Sequence, residues 1–210
     1  MQYDLGAVRV RKRRGLPHWD VEHGIYFVTW HLADAVPVEE RSAIEQRCDW
    51  YASMLRTRSG PIVAAQLDLV HRYRRRLINR TLDLNLGSCV LHGDAAAFVA
   101  NAIMYFDTAR YDLYAWCVMP NHARVVFSCD SRHALDRVLH SWKSYTANRV
   151  NELLYRSGTL WREDYFDTSV RDTKQLQQTI AYVLANPEKA GLKEWPYRAS
   201  YPERIARVIA

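Results

Sequence analysis

Residues 111–129, YDLYAWCVMPNHARVVFSC, decide the fold that this sequence predicts. Two runs rich in aromatic and β-branched residues, 111–119 and 122–129, flank a turn formed by Pro120 and Asn121. Two strand-like runs separated by so short a turn are typical of a β-hairpin. We therefore predict an antiparallel strand pair at the centre of the chain.

The segments on either side of this hairpin complete an alternating pattern of strands and helices. In chain order they predict a strand at 24–33, helices at 38–58, 62–78 and 95–109, a helix at 131–155, an extended piece at 161–170 and a helix at 174–185. Asp94 and Asp172 are the predicted caps of two of these helices, and Asn186-Pro187 is the predicted end of the last one. The pattern predicts an α+β fold: a ferredoxin-like β-α-β-β-α-β core with an antiparallel sheet, a helical insertion and a C-terminal helix.

Positive charge is concentrated in two parts of the chain. The 29 Lys and Arg residues exceed the 23 Asp and Glu residues, which leaves a net charge of +6. Arginines crowd residues 9–14 and again residues 72–80. We expect residues 1–18 to be a basic arm without fixed structure and residues 19–210 to be one domain. Arginine clusters suit phosphate oxygens, although a solvated helix face and a basic tail would have the same composition.

Cysteine spacing and hydropathy argue against several classes of protein. The four cysteines are scattered without a C-x-x-C pair, so neither a disulfide framework nor a zinc ribbon is predicted. No apolar run is long enough to cross a membrane, and the basic start of the chain lacks the apolar core of a leader peptide. The sequence therefore predicts a soluble, cytoplasmic protein.

Two pairs of residues have the spacing of a chemical site. His122 and Arg124 are two apart on a predicted strand, so their side chains project from the same face. Tyr182 and Asn186 are four apart on a predicted helix and share one side of it. The Tyr182 phenol and the Asn186 amide could thus reach one site together, and His122 lies where its imidazole could enter a metal site, with position 124 beside it.

Four runs of sequence carry a resemblance to a known family. YDLYAWCVMPNH, SWKSYTANR, LWREDYFDTSVR and YVLANPEKAGL, in this order, closely resemble the REP-associated tyrosine transposases, which belong to the HUH single-tyrosine transposase superfamily. LGSCVLHGD, at residues 86–94, resembles the segment before the family's first long helix. The resemblance extends over about residues 20 to 200, almost the whole chain.

The resemblance implies a mechanism and a set of residues. In the family, two histidines and a polar side chain from the last helix hold a divalent metal that polarises the scissile phosphate of single-stranded DNA. A tyrosine on that helix attacks the phosphorus, which leaves a 5′-phosphotyrosine and a free 3′-hydroxyl. By position, Tyr182 matches the nucleophile, and His122 and Asn186 match ligands of a Mg²⁺ or Mn²⁺ ion. The implied function is nicking and rejoining of single-stranded or hairpin (REP-like) DNA.

The chain departs from the family at the second histidine, where Arg124 stands. A guanidinium has no lone pair for a metal and stays protonated, so the implied metal site is weakened or lost. The alternative function is therefore that of a catalytically inactive descendant that binds hairpin DNA, with Arg124 holding phosphate. His31 on the first strand is a candidate substitute ligand. An RNA-binding module is a third interpretation.

The expected partner is single-stranded or hairpin DNA, with no obligate protein partner; a monomer is predicted, with a dimer as the alternative. Basic and aromatic side chains in the matching motifs and in the arm are the candidate DNA contacts: Arg11, Arg13, Arg14, Arg124, Lys143, Tyr145, Arg162 and Arg171. Three aromatic residues could stack on unpaired bases or fill the core instead: Trp161, Tyr165 and Phe166.

Overall fold

A computed structural model of the protein describes residues 8–13, 16–21, 24–59, 64–129 and 131–209. The strands are β1 (Val8–Arg13), β2 (Leu16–Val21), β3 (Ile25–His31), β4 (Tyr111–Val118), β5 (His122–Cys129), β6 (Phe166–Val170) and β7 (Arg198–Ser200). The helices are α1 (Val38–Ser59), α2 (Ala64–Asp83), α3 (Gly93–Tyr105), α4 (Leu135–Leu153), α5 (Thr173–Lys189) and α6 (Pro202–Ile209).

The main sheet has five strands in the order β6-β3-β5-β4-β7, and every neighbouring pair is antiparallel. Strands β3, β4, β5 and β6 with helices α3 and α4 form a β-α-β-β-α-β unit, so the predicted ferredoxin-like core is confirmed. Helices α1 and α2 are the predicted insertion between the first core strand and the first core helix. Helix α5 is the predicted C-terminal helix that carries Tyr182, and α6 follows it.

The two faces of this sheet support separate hydrophobic clusters. Trp30 of β3 and Phe127 of β5 point to one face, where they contact the ring of Trp142 from α4. On the other face, Val126 of β5 packs with Val183 of α5. Side chains alternate along each strand, so a single hairpin supplies residues to both layers.

The register of β3 and β5 determines which residues meet on the α5 face. His31 lies opposite His122, and Thr29 lies opposite Arg124. Residues directly opposite in an antiparallel pair project to the same side with Cβ atoms roughly 5 Å apart. The two histidines are therefore cross-strand neighbours beside the β4–β5 turn.

Three expectations about local structure were wrong. The basic arm was expected to lack fixed structure, but β1 and β2 pair antiparallel within it, and β2 contacts β6. Asp94 was expected to cap a helix, but α3 already begins at Gly93, with His92 at the N-cap and no side-chain cap. The long helix predicted from residue 131 begins later, at Leu135, after a short 3₁₀ turn.

Helix α5 continues past the residue that was predicted to end it. Asp172 caps its start as predicted, accepting a hydrogen bond from the backbone N–H of Gln175 at 2.7 Å. Pro187 lies inside the last turn, where its missing N–H removes one helical bond near the end. The helix ends at Lys189, and Gly191 turns the chain with a φ of 74°.

Within the described ranges, none of the helices combines the length and the apolar character that a membrane span requires.

Candidate active site

Four residues that the sequence singles out meet on the sheet face covered by α5. His122 and Arg124 project there from β5, and Tyr182 and Asn186 lie one turn apart on α5. The Arg124 guanidinium carbon is 4.9 Å from the centroid of the Tyr182 ring. The two spacings thus converge on one place.

Asp83, the last residue of α2, joins this cluster from the helical insertion. Its Oδ1 accepts a hydrogen bond from Arg124 Nη2 at 2.8 Å and a longer one from Asn186 Nδ2 at 3.4 Å. Sequence reasoning missed Asp83, because it lies 41 residues from Arg124 and belongs to none of the matching motifs. We call these five residues, His122, Arg124, Tyr182, Asn186 and Asp83, the Arg124 cluster.

The His122 ring is fully buried, and its hydrogen bonds define its tautomer. Nδ1 donates to Asn121 Oδ1 at 2.5 Å, while the Asn121 amide donates to the Leu82 carbonyl at 2.9 Å. Nε2 is buried and finds no hydrogen-bond partner among the described residues. Burial, followed by the charges of Arg124 and His31, lowers the pKa of His122 well below its usual value. His122 is therefore a neutral imidazole with a free lone pair, as a metal ligand or a hydrogen-bond acceptor requires.

Arg124 is an arginine with 0% exposure whose hydrogen bonds are largely unmade. Nη2 pairs with Asp83, but Nε and Nη1 are buried and have no partner among the residues that the structure describes. Asn186 Oδ1 is likewise buried without a hydrogen-bond partner among the described residues. A buried guanidinium with free N–H groups is costly, because the removed water is not replaced.

Tyr182 is half-buried against the edge of Phe27, with ring centroids 6.1 Å apart. Burial raises the pKa of the Tyr182 phenol; the charge of Arg124 opposes this rise, and Asp83 adds to it. Lys189 lies above the same ring, its Nζ 5.5 Å from the centroid. The net effect is a phenol that stays protonated at neutral pH, not an ionised nucleophile.

The donors of the cluster do not fit the two-histidine metal site of the family. The guanidinium of Arg124 fills the second ligand position and pairs with the Asp83 carboxylate. Cys117 lies opposite Arg124 in the sheet, but burial raises the pKa of its thiol to about 12, so it stays neutral. In the described part of the chain, no group of three or more His, Cys, Asp or Glu side chains is placed to hold a metal. Binding of Mg²⁺ or Mn²⁺ stays a prediction.

His31, the candidate substitute ligand, is nearly buried next to His122. Its Nδ1 donates to the Leu32 carbonyl at 2.8 Å. Burial lowers the pKa of His31 to about 4, and the charges of Arg162, Arg41 and Lys143 act in the same direction. The structure thus brings a second neutral imidazole beside the cluster, although from β3 rather than from position 124.

The other candidate DNA contacts lie outside the Arg124 cluster. Lys143 Nζ donates to the backbone carbonyls of Arg162 and Glu163, at 2.7 and 2.6 Å. Tyr145 is 50% exposed, and Arg171 is exposed on the rim of a cleft beside β6.

The side chains of the arm are not described, whereas the positions of the three aromatic candidates are. Arg11 and Arg13 lie on β1, where side chains are not described, and Arg14 lies outside the described residues. Trp161 and Tyr165 are buried in the core, so they do not offer stacking surfaces to bases. Trp161 also donates from Nε1 to Thr146 Oγ1 at 2.9 Å. Phe166 is half-buried and lines the cleft beside β6.

Comparison with known proteins agrees with this arrangement. The sequence profile of the IS200-like transposases matches residues 65–186, more than half of the chain and the whole span from α2 to Asn186. This chain belongs to the IS200-like transposase family. The matched span contains every residue of the Arg124 cluster.

Two relatives confirm the resemblance to REP-associated tyrosine transposases. A Haemophilus influenzae protein of that name is 23% identical over 113 residues, which are 47% of this chain and 64% of that protein. The match thus spans less than two thirds of the relative's length. A solved structure of a REP-associated tyrosine transposase bound to a REP hairpin has a TM-score of 0.55 at 15% identity, covering 95% of this chain and 88% of that one. At this identity the likeness shows the fold.

Proposed function

We propose that this transposase-family protein binds hairpin DNA with single-stranded flanks, and that it does so without the metal-dependent cleavage of its family. The observation that carries the proposal is Arg124, which is fully buried at the second ligand position and paired with Asp83. A permanent positive charge at that place repels a divalent cation and attracts a phosphate.

Three features support DNA as the ligand. The net charge is +6, and a structural neighbour is a transposase bound to a REP hairpin. Beside β6, a cleft of about 430 Å³ lies between α2 and the start of α5. Its walls carry both charges: basic side chains that suit a phosphate backbone come from both sides of the cleft, and Asp68, which pairs with Arg72, lies among them together with Asp167 and Asp172. The basic side chains are His71, Arg72, Arg75 and Arg171.

The state of Tyr182 supports binding without cleavage. Burial and the charge of Asp83 raise the pKa of its phenol, while the charge of Arg124 opposes this rise. A protonated phenol is a weak nucleophile, so the attack that the family resemblance implies would require loss of the phenol proton against this shift.

A second candidate is the family reaction itself, and one observation favours it. His122 Nε2 and Asn186 Oδ1 are both buried and free among the described residues, next to the helix that carries Tyr182. Together with His31, these atoms could hold Mn²⁺, which would polarise a bound phosphodiester. Tyr182 Oη would then form the bond to phosphorus, the bond from phosphorus to the 3′ oxygen would break, and that oxygen would take up the phenol proton.

A single experiment separates the two candidates. Labelled hairpins with single-stranded flanks are incubated with Mg²⁺ or Mn²⁺ and with wild type, Tyr182→Phe or Arg124→His. We expect wild type to bind the hairpin without forming a covalent adduct, and Arg124→His to form one with Mn²⁺. A wild-type adduct that disappears in Tyr182→Phe would instead establish the nicking reaction. Equal affinity for a scrambled RNA would contradict DNA recognition altogether.

A further inference from the structure

We propose that Arg124 forms a binding site for one DNA phosphodiester, and that the Asp83 carboxylate occupies this site in the free protein. The inference rests on the proposed DNA binding. It assigns a DNA phosphate to the Arg124 cluster as its ligand, and it makes the Asp83 carboxylate the group that competes with this ligand. The ligand is the phosphate of a single-stranded segment beside the hairpin. It takes the place that a metal-bound phosphate has in the family.

The unmade hydrogen bonds of the cluster match the chemistry of a phosphodiester. Arg124 offers two buried N–H groups, Nε and Nη1, without partners among the described residues. The guanidinium fork can hold two non-bridging oxygens of a phosphate at once. Asp83 uses a single Arg124 nitrogen, Nη2. A phosphodiester would therefore satisfy donors that the carboxylate leaves free.

Asp83 is the partly exposed member of its ion pair with Arg124. The Arg124 side chain is 0% exposed, whereas the Asp83 side chain is 38% exposed. The two charges are opposite, so a phosphodiester and the carboxylate compete for the same guanidinium. When the phosphate enters, Asp83 can turn into water, where a carboxylate is well solvated.

The position of Asp83 in its helix makes this exchange easier. Asp83 is the last residue of α2, at the end where the helix dipole is negative. A carboxylate at that end is unfavourable, because it repels the partial negative charge of the helix end. Beyond it the chain leaves the helix, with Leu84 exposed and Asn85 at a φ of 51°. The Asp83 carboxylate is thus held inward by the ion pair with Arg124 and by the longer hydrogen bond from Asn186.

The test is a binding titration with a hairpin DNA that carries a single-stranded flank, in EDTA so that no metal contributes. Asp83→Asn removes the competing charge but keeps the size of the side chain and an oxygen that can accept from Arg124. We expect it to raise the affinity about tenfold, as a displaced close charge pair would. Glu152→Gln is the matched control, because it removes one negative charge from an exposed ion pair with Arg149 on α4. We expect less than about a twofold change there, since exposed charges are screened.

The double variant Asp83→Asn/Arg124→Gln identifies the phosphate ligand. It should lose the gain of Asp83→Asn, and Arg124→Gln alone should lower the salt dependence of log Kd by about 0.7, the value for one phosphate contact on a single strand. A merely structural Arg124 would leave that slope unchanged. Arg124→Lys, which keeps the charge but loses the fork, should keep the slope and bind more weakly than wild type. Melting curves confirm that each variant is folded.

The outcomes separate this inference from the proposed function. If wild type binds but Asp83→Asn and Glu152→Gln have equal effects, the phosphate site is wrong while DNA binding stands. If neither wild type nor Asp83→Asn binds the hairpin, the proposed function fails and the inference fails with it. Binding that appears in Asp83→Asn alone would be the strongest support for a carboxylate that blocks the site.

Discussion

The two faces of the central sheet differ in the kind of buried group that lacks a hydrogen-bond partner. On the α4 face, Trp30, Phe127 and Trp142 pack ring against ring, and the Trp142 N–H donates to the Tyr111 hydroxyl at 2.9 Å. Among the described residues, the groups without a partner in this cluster are the neutral indole N–H groups of Trp30 and Trp116. On the α5 face, beside the β4–β5 turn, buried nitrogen and oxygen atoms of three neighbouring residues lack partners in the described part of the chain: His122, Arg124 and Asn186.

One hairpin thus supplies both the residues that stabilise the fold and the residues of the Arg124 cluster. Alternate residues of β5 enter the two layers, so a few positions build the core and the intervening ones build the Arg124 cluster. Native proteins seldom leave buried polar groups unsatisfied, and such groups gather where a ligand is bound. Substitutions on the two faces should therefore have different effects on stability and on DNA binding.

The largest effect is expected on the α4 face. Trp30 is fully buried and stacks on Trp142 with ring centroids 5.6 Å apart. Trp30→Ala removes this packing and leaves a cavity, which should lower the free energy of unfolding by about 3–5 kcal/mol in urea denaturation. Trp50→Ala, at a tryptophan of α1 that is 62% exposed, is the matched control and should change it by less than about 1 kcal/mol. Equal effects would contradict the assigned core.

Sequence patterns predicted much of this comparison, since both faces follow from local periodicity. The two-residue repeat placed His122 beside Arg124, and the four-residue spacing placed Tyr182 beside Asn186. Nearly every residue of the hairpin is buried, because side chains that alternate in direction are covered on both faces. The ferredoxin-like pattern also implies the order of the four core strands, β6-β3-β5-β4.

What the sequence did not predict depends on contacts between distant segments. Asp83 reaches Arg124 across 41 residues, and Asn121 reaches the Leu82 carbonyl across 39, so no local pattern encodes either bond. The pairing of β1 with β2 is backbone hydrogen bonding, which a basic composition does not forbid. Pro187 was expected to end α5 because proline removes a helical bond, yet near the end of a helix that loss is small.

Acidification should weaken the α5 face. Burial, with the charges of Arg162, Arg41 and Lys143, lowers the pKa of His31 to about 4, and the neighbouring His122 ring is also held neutral. Above pH 6.5 the imidazole is neutral in both folded and unfolded states. Below pH 6.5, the unfolded chain binds a proton at His31, whereas the folded protein binds it only near pH 4. The free energy of unfolding therefore decreases as the pH is lowered from 6.5 to 4. The loss attributable to His31 is about 3 kcal/mol across this window.

Urea denaturation at pH 7, 6, 5 and 4.5 measures this loss. His31→Gln should show a shallower decline than wild type by about 1.4 kcal/mol per pH unit, the contribution of one proton. His140→Gln, at an exposed histidine of α4, should retain the wild-type decline. Parallel curves for wild type and His31→Gln would mean that His31 protonates freely in the folded state.

The smallest effect on the free energy of unfolding is expected from a comparison of Arg124, which we assign to ligand binding, with Arg204, which we assign to stability. Arg204 Nη1 donates to Asp107 Oδ1 at 2.6 Å and to the Leu113 carbonyl at 3.2 Å, so Arg204→Met should lower the free energy of unfolding by about 2 kcal/mol. Arg124 is fully buried with two free N–H groups, and its partner Asp83 can turn into water. Replacing that guanidinium by a hydrocarbon removes an incompletely satisfied buried charge, so Arg124→Met should raise the free energy of unfolding by about 1 kcal/mol while it weakens hairpin binding. Thermal and urea melts of the two variants at pH 7 measure the contrast. A loss for Arg124→Met as large as that for Arg204→Met would show that Arg124 supports the fold and would remove the distinction between the two faces.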